Sequence, residues 1–143
     1  MTKKYLQLLL LLAISITAWS QQKEQKAFQA YLYNNEYEVY MRINFYDQDV
    51  TIPGQDLYGP LPGYLGKKYN SFCWVITSCK VNNEEEADLQ LINDFGSEDL
   101  EAKLIRENDT LYTLRQGRGN TIKIPYKGKW RKLPKTLQLI RKK

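Results

Sequence analysis

YNSFCWVITSCKV, residues Tyr69 to Val81, carries apolar side chains at both parities. Phe72, Trp74 and Ile76 share one parity; Cys73, Val75, Thr77, Cys79 and Val81 share the other. Successive side chains of a strand point to opposite faces, so this stretch reads as a strand that seeks burial on both, inside a sheet rather than at its edge.

Downstream of it the punctuation is regular. Ala87 to Asn93 predicts a strand with Ala87, Leu89 and Leu91 inward; Leu100 to Arg106 repeats the pattern with Leu100, Ala102 and Leu104. Thr110 to Gln116 follows, then Thr121 to Lys127 with Ile122, Ile124 and Tyr126 on one face, then Gly128 to Lys135 with Trp130, and finally Thr136 to Arg141 with Leu137 and Leu139 together. Polar turns separate these segments, which is the signature of an antiparallel meander. Gly117 to Asn120 reads as one of those turns, with Gly and Asn suited to positive φ.

Upstream, Tyr37 to Tyr46 alternates cleanly, with Tyr37, Val39, Met41, Ile43 and Phe45 inward and Tyr40 and Tyr46 on the wetter face. Val50 to Ile52 predicts a short strand. Pro53 to Gly66 holds three Pro and four Gly in 14 residues, a composition that resists ladder pairing and predicts a long Ω-like loop folded back through Tyr58, Leu61, Tyr64 and Leu65. In Gln22 to Asn34 the spacing of Phe28, Tyr31 and Leu32 predicts a short amphipathic helix. About eight strands result. The fold class is therefore all-β: an antiparallel meander closed, or partly open, as a barrel, with a short N-terminal helix, and a two-sheet sandwich as the alternative.

The chain has 143 residues. Residues 1–20 have the layout of a signal peptide: Lys3 and Lys4, an apolar core from Leu6 to Ile16, and Ala18-Trp19-Ser20 at a cleavage site. That core is too short to span a bilayer, so no stable membrane insertion is expected once it is removed. The rest, 21–143, is one domain's worth. The expected location is the periplasm or the extracellular space.

Charge is unevenly spread. Gln21 to Leu114 carries 8 basic and 16 acidic residues, whereas Arg115 to Lys143 carries 11 basic and none acidic. The basic residues are interleaved with strand residues and the chain reads as exported, so nucleic acid is not the expected partner. Two readings of the asymmetry remain: oppositely charged strands that neutralise one another across the sheet, with the basic last strand closing on the first near Glu36 and Glu38, or a basic surface that meets an acidic partner.

The chemistry-bearing residues are few. There is no His, which removes the commonest general base and metal ligand; with two Cys alone, no metal site and no cofactor are expected, and the chain is not read as an enzyme. Cys73 and Cys79 invite a disulfide in an exported chain. If they lie on one continuous strand, six steps of about 3.3 Å put their α-carbons about 20 Å apart, beyond the roughly 7 Å a bridge allows, so two thiols on one face fit better than a bridge across a tight hairpin. Asp94, Glu98 and Asp99 form an acidic turn without the spacing of a calcium loop or a facing carboxylate pair.

What remains is aromatic and basic. Tyr58, Tyr64, Trp74 and Trp130, with Phe72, are candidates to line a barrel mouth and hold a small apolar or aromatic ligand. Arg115, Arg118, Lys127, Lys129 and Arg131 are candidates for a surface that docks an acidic protein. The meander, the leader and the early helix together resemble lipocalin-like and avidin-like secreted barrels over Tyr37 to Arg141. The lipocalin Gly-x-Trp triplet is absent from the first strand; its one occurrence is Gly128-Lys129-Trp130, near the other end. The resemblance implies binding rather than catalysis. Two functions are thus expected: an exported non-catalytic binding protein for a macromolecule, such as an inhibitor or immunity-type protein, or a lipocalin-like carrier.

Overall fold

A computed structural model describes residues 26–143. The expected leader and the first turn of the expected helix lie outside the described residues. Ten strands follow in order: β1 (Gln29–Asn34), β2 (Val39–Asn44), β3 (Gly63–Lys67), β4 (Cys73–Val81), β5 (Glu86–Asn93), β6 (Asp99–Arg106), β7 (Leu111–Gly119), β8 (Lys123–Tyr126), β9 (Lys129–Lys132) and β10 (Thr136–Arg141), with a short 3-10 turn at Asp56–Tyr58. Eight of them close a barrel in the order β1-β10-β7-β6-β5-β4-β3-β2, every pair antiparallel; β8 and β9 pair only with each other. The all-β barrel expected from the sequence is what forms, and the sandwich is not.

Its strands are not the same eight. Gln29–Asn34 is a strand rather than a helix. Phe28 and Leu32 are four apart, a spacing that fits a helix face and a strand face equally. Ala30 between them packs on the core, while Tyr31 turns outward to stack on Tyr40, 5.5 Å between ring centroids. Gly63–Lys67 also forms a strand where the composition of Pro53 to Gly66 predicts a long loop. The glycines of β3 serve close packing: a Cβ on Gly66 would lie 2.5 Å from the Tyr40 ring, which covers that position. The remainder of the loop does fold back as expected. A single Val50–Leu61 bridge, all that forms of the strand expected at Val50 to Ile52, ties its ends, and Ile52 packs with Tyr64, Cys73 and Val75 on the outer wall.

Two bulges shape the wall. On β4 the register slips between Ile76 and Ser78, so the parity rule breaks there: Trp74 and Ile76 face the core, Cys73 and Val75 face out, and beyond the bulge Cys79 and Val81 turn inward. Cys73 and Cys79 are therefore on opposite faces, not on one, and both are free thiols. On β7 the expected turn at Gly117 to Asn120 is instead strand as far as Gly119, which at φ 116 sits opposite Leu100, with Gly117 and Arg118 together set against the single Glu101. Gly is needed there because a Cβ on Gly119 would lie 2.5 Å from the Asp99 carbonyl oxygen.

The inside is packed with side chains from every barrel strand. Phe28, Phe45 and Tyr112 cluster at the end where the chain enters, with Phe28 stacked on Phe45 at 5.5 Å, and Tyr112 donates its hydroxyl hydrogen to the Ala27 carbonyl. The seam between the first and last strands pairs Leu32 with Arg141 and Tyr33 with Ile140. Closure thus falls on β1 rather than near Glu36 and Glu38; Glu38 instead meets Lys67 at 3.6 Å. Arg141 reinforces the seam by donating to the carbonyls of Gln29 (2.8 Å) and Lys26 (3.0 Å) and to the Tyr112 hydroxyl (3.1 Å).

Candidate functional site

The opposite end of the barrel is covered by the β8–β9 hairpin, spliced between β7 and β10. Its turn, Lys127-Gly128, has φ 48 and 73, both positive as a two-residue hairpin of this twist requires. Its base is apolar: Ile122, Ile124 and Leu133 are buried in the barrel core. Cross-strand partners share a face, so the two faces of the hairpin are set by register. One carries Ile124 and Arg131, the other Lys123, Pro125, Trp130 and Lys132. Arg131 lies over the rings of Tyr37 (4.4 Å) and Tyr126 (5.0 Å), fixing one face to the β1–β2 turn. On the other, Trp130 packs edge-on against Phe72 at 5.3 Å, and Lys123 reaches Glu98 at 3.9 Å. The hairpin stands as a tongue across the mouth, gripped on both sides.

Between its Trp130 face and the β5–β6 turn is a cleft of about 230 Å³, lined by Phe72, Trp74, Asn93, Phe95, Ser97, Glu98, Lys123 and Trp130. Trp74 is 1 % exposed and its Nε1 has no hydrogen-bond partner among the described residues. The turn wall is stiff. Asn93 donates to the Ser97 hydroxyl (3.0 Å) and accepts from the backbone N–H groups of Ser97 (2.9 Å) and Glu98 (3.2 Å). Phe95 projects from that turn, 78 % exposed, and Trp130 is 59 % exposed.

The four aromatics singled out in the sequence do not share one place. Trp74 and Trp130 meet at this cleft, whereas Tyr64 is on the outer wall, with Tyr58 partly buried against its cluster. Burial, with help from the neighbouring Tyr40, raises the Tyr64 phenol above the usual tyrosine range. The five basic residues divide as well. Lys127, Lys129 and Arg131 are on the hairpin; Arg115 and Arg118 are on β7, along an open depression of about 600 Å³ on the barrel wall whose other charged residues are Lys80, Asp88, Glu101 and Lys103. That depression is only partly neutralised: Arg118 meets Glu101 at 3.7 Å and Lys103 meets Asp88 at 3.0 Å, which leaves Lys80 and Arg115 in excess. Of the eleven basic residues from Arg115 on, only Arg118 and Lys123 have a carboxylate within ion-pair reach among the described residues. Neutralisation across the sheet therefore accounts for little of the asymmetry.

The acidic turn splits too. Glu98 faces the cleft, whereas Asp94 lies beside Cys73, its carboxyl raised by burial against the lowering effect of nearby backbone N–H groups. Among the described residues no three potential metal ligands gather. Phe95, Ser97 and Lys123 were not among the expected site residues. Phe95 had one signal available, an aromatic inside a polar turn with nothing in its own segment to pack on. Comparison with known protein families, with curated proteins and with solved structures gave no match, so any functional reading rests on the chain's own residues.

Proposed function

We infer that the protein is an exported, non-catalytic binding protein whose hairpin end docks an acidic protein partner. The observation that carries this is the tip of the hairpin: Tyr126, Lys127, Lys129 and Trp130 are all exposed, and neither lysine has a carboxylate to answer it among the described residues. Basic groups around an aromatic anchor are the composition of a protein-docking patch, with charge steering the encounter. The base of the hairpin is buried and its sides are gripped, so the tip is presented rigidly and little ordering is lost on binding. The charged outer wall and apolar inside are the reverse of a membrane barrel and agree with a water-exposed life. The lipocalin-like reading has less support, because the space such a carrier would offer its ligand is taken by Phe28, Leu32, Met41, Trp74, Tyr112 and their neighbours.

The test is co-isolation of the full chain with partners from the exported fraction of its source cells, read by native mass spectrometry. Lys127→Glu/Lys129→Glu is run beside the wild type. An acidic protein held at fixed stoichiometry, lost in the double variant and weakened as salt shortens the Debye length from about 10 Å to about 3 Å, is the expected result. A partner retained equally by the variant, or binding indifferent to salt, overturns it.

A further inference from the structure

The cleft beside Trp130 has its own chemistry, distinct from the tip. At about 230 Å³ it lies below the roughly 300–1,000 Å³ of sites for drug-sized ligands and is sized for a single ring. Its floor is aromatic, formed by Phe72 and Trp74, and its lips are the exposed Phe95 and Trp130. Its rim offers a hydroxyl, a carboxylate and an ammonium: Ser97, Glu98 and Lys123. Trp74 closes the inner wall with its Nε1 sealed from the cleft, so its indole reports on the cleft without donating into it.

Each property narrows the occupant. A wholly apolar ring would strip water from Glu98 and Lys123 with nothing to replace it. A charged ligand would meet one favourable and one opposing charge, because Glu98 and Lys123 stand 3.9 Å apart. A neutral ring with an apolar face and hydroxyls that both donate and accept fits all of them. We propose that the cleft between the β8–β9 hairpin and the β5–β6 turn binds one neutral pyranose unit. The sugar lays its C–H face against the exposed Trp130 ring, and its hydroxyls bond to Ser97, Glu98 and Lys123. Asn93 is a positioning residue, since its amide is already committed to holding Ser97 and Glu98 in place. The two sites share Trp130 but are told apart by their other residues: the cleft alone uses Phe95, Ser97 and Glu98, and the tip alone uses Lys127 and Lys129.

The experiment follows the indole N–H signals of the full ¹⁵N-labelled chain, assigned by Trp74→Phe and Trp130→Phe, while glucose, galactose, mannose, N-acetylglucosamine and, separately, phenol are added. At least one sugar is expected to shift the Trp74 indole signal saturably with Kd in the millimolar range, as suits a one-ring ligand. Phe95→Ala and Glu98→Ala, both at the cleft's surface, should each weaken that binding by about tenfold, and Lys127→Glu/Lys129→Glu should leave it unchanged. No sugar response, a response unaltered in both cleft variants, or a response to phenol but to no sugar overturns the assignment. The last would mark the cleft as a slot for an aromatic side chain instead.

Discussion

Cys73 shows how much one inserted residue decides. The bulge at Ile76–Ser78 sends Cys73 outward and Cys79 inward, so no rotamer change could join them. Only the polar pair Thr77-Ser78 in mid-strand hinted at it; alternation counted straight through puts both thiols on one face. Burial, and then the nearby Asp94, push the Cys73 thiol from 9.0 up to about 11. Between those values the folded chain keeps a proton that the unfolded chain gives up, so this share of stability is full below about pH 9 and is lost as pH rises through 11. Cys73→Ala should therefore show a shallower fall in Tm across that window than the wild type. The residual fall belongs to the Cys79 thiol and to the phenols of Tyr31, Tyr64 and Tyr112, which burial also raises. Equal slopes would place the thiol in a wetter setting. Gly66 is the other residue on which the wall depends. Gly66→Ala should cost about 1–3 kcal/mol by urea denaturation, because the Tyr40 ring must move, and Gly66→Ala/Tyr40→Ala should cost less than the sum of the two single changes.

Among the elements, the hairpin has two unlike parts. Its base belongs to the core, so Ile124→Ala should destabilise by about 2–4 kcal/mol, while Trp130→Ala, which loses an exposed ring and one edge-on contact, should cost no more than about 1.5 kcal/mol. Comparable losses would mean the ring holds the mouth shut rather than standing ready for a partner. Most strands were legible because their alternation is strict and their turns polar, as in β5 and β6. The misreadings came from residues whose meaning is set by a distant neighbour. Gly63 and Gly66 look like strand breakers until Tyr40 is packed over one of them, and Phe28 with Leu32 satisfies two periods at once. The alternation of Thr121 to Lys127 reads as a strand, but nothing local says that this segment and the next leave the barrel. The cleft was half legible: Trp74 and Trp130 were singled out, whereas Lys123, Ser97 and Phe95 acquire a role only when β7 is followed by a hairpin that doubles back over the β5–β6 turn.

For the whole molecule, the weak point is the seam. β1 meets β10 over fewer residue pairs than it shares with β2, and the guanidinium of Arg141 ties it to Gln29, Lys26 and Tyr112. Arg141→Met should lose about 1.5–3 kcal/mol, the range for hydrogen bonds to a charged group, and should speed amide exchange in β1 and β10 ahead of the other strands. If exchange quickens evenly around the barrel, the seam is no weaker than the rest. A seam that opens would also expose two unpaired edges, so the same variant should self-associate as concentration rises.

Because β7 and β10 pair directly, from Leu111 with Ile140 to Arg115 with Thr136, the wall is continuous without the hairpin that separates them in the chain. The tip can therefore drift in sequence at little expense to folding, so long as Ile122, Ile124 and Leu133 keep the base seated. Such an arrangement separates the inheritance of a scaffold from the inheritance of a specificity. Related chains would be expected to differ most between Pro125 and Lys132, and exchanging that short segment between them should transfer a partner preference from one barrel to another.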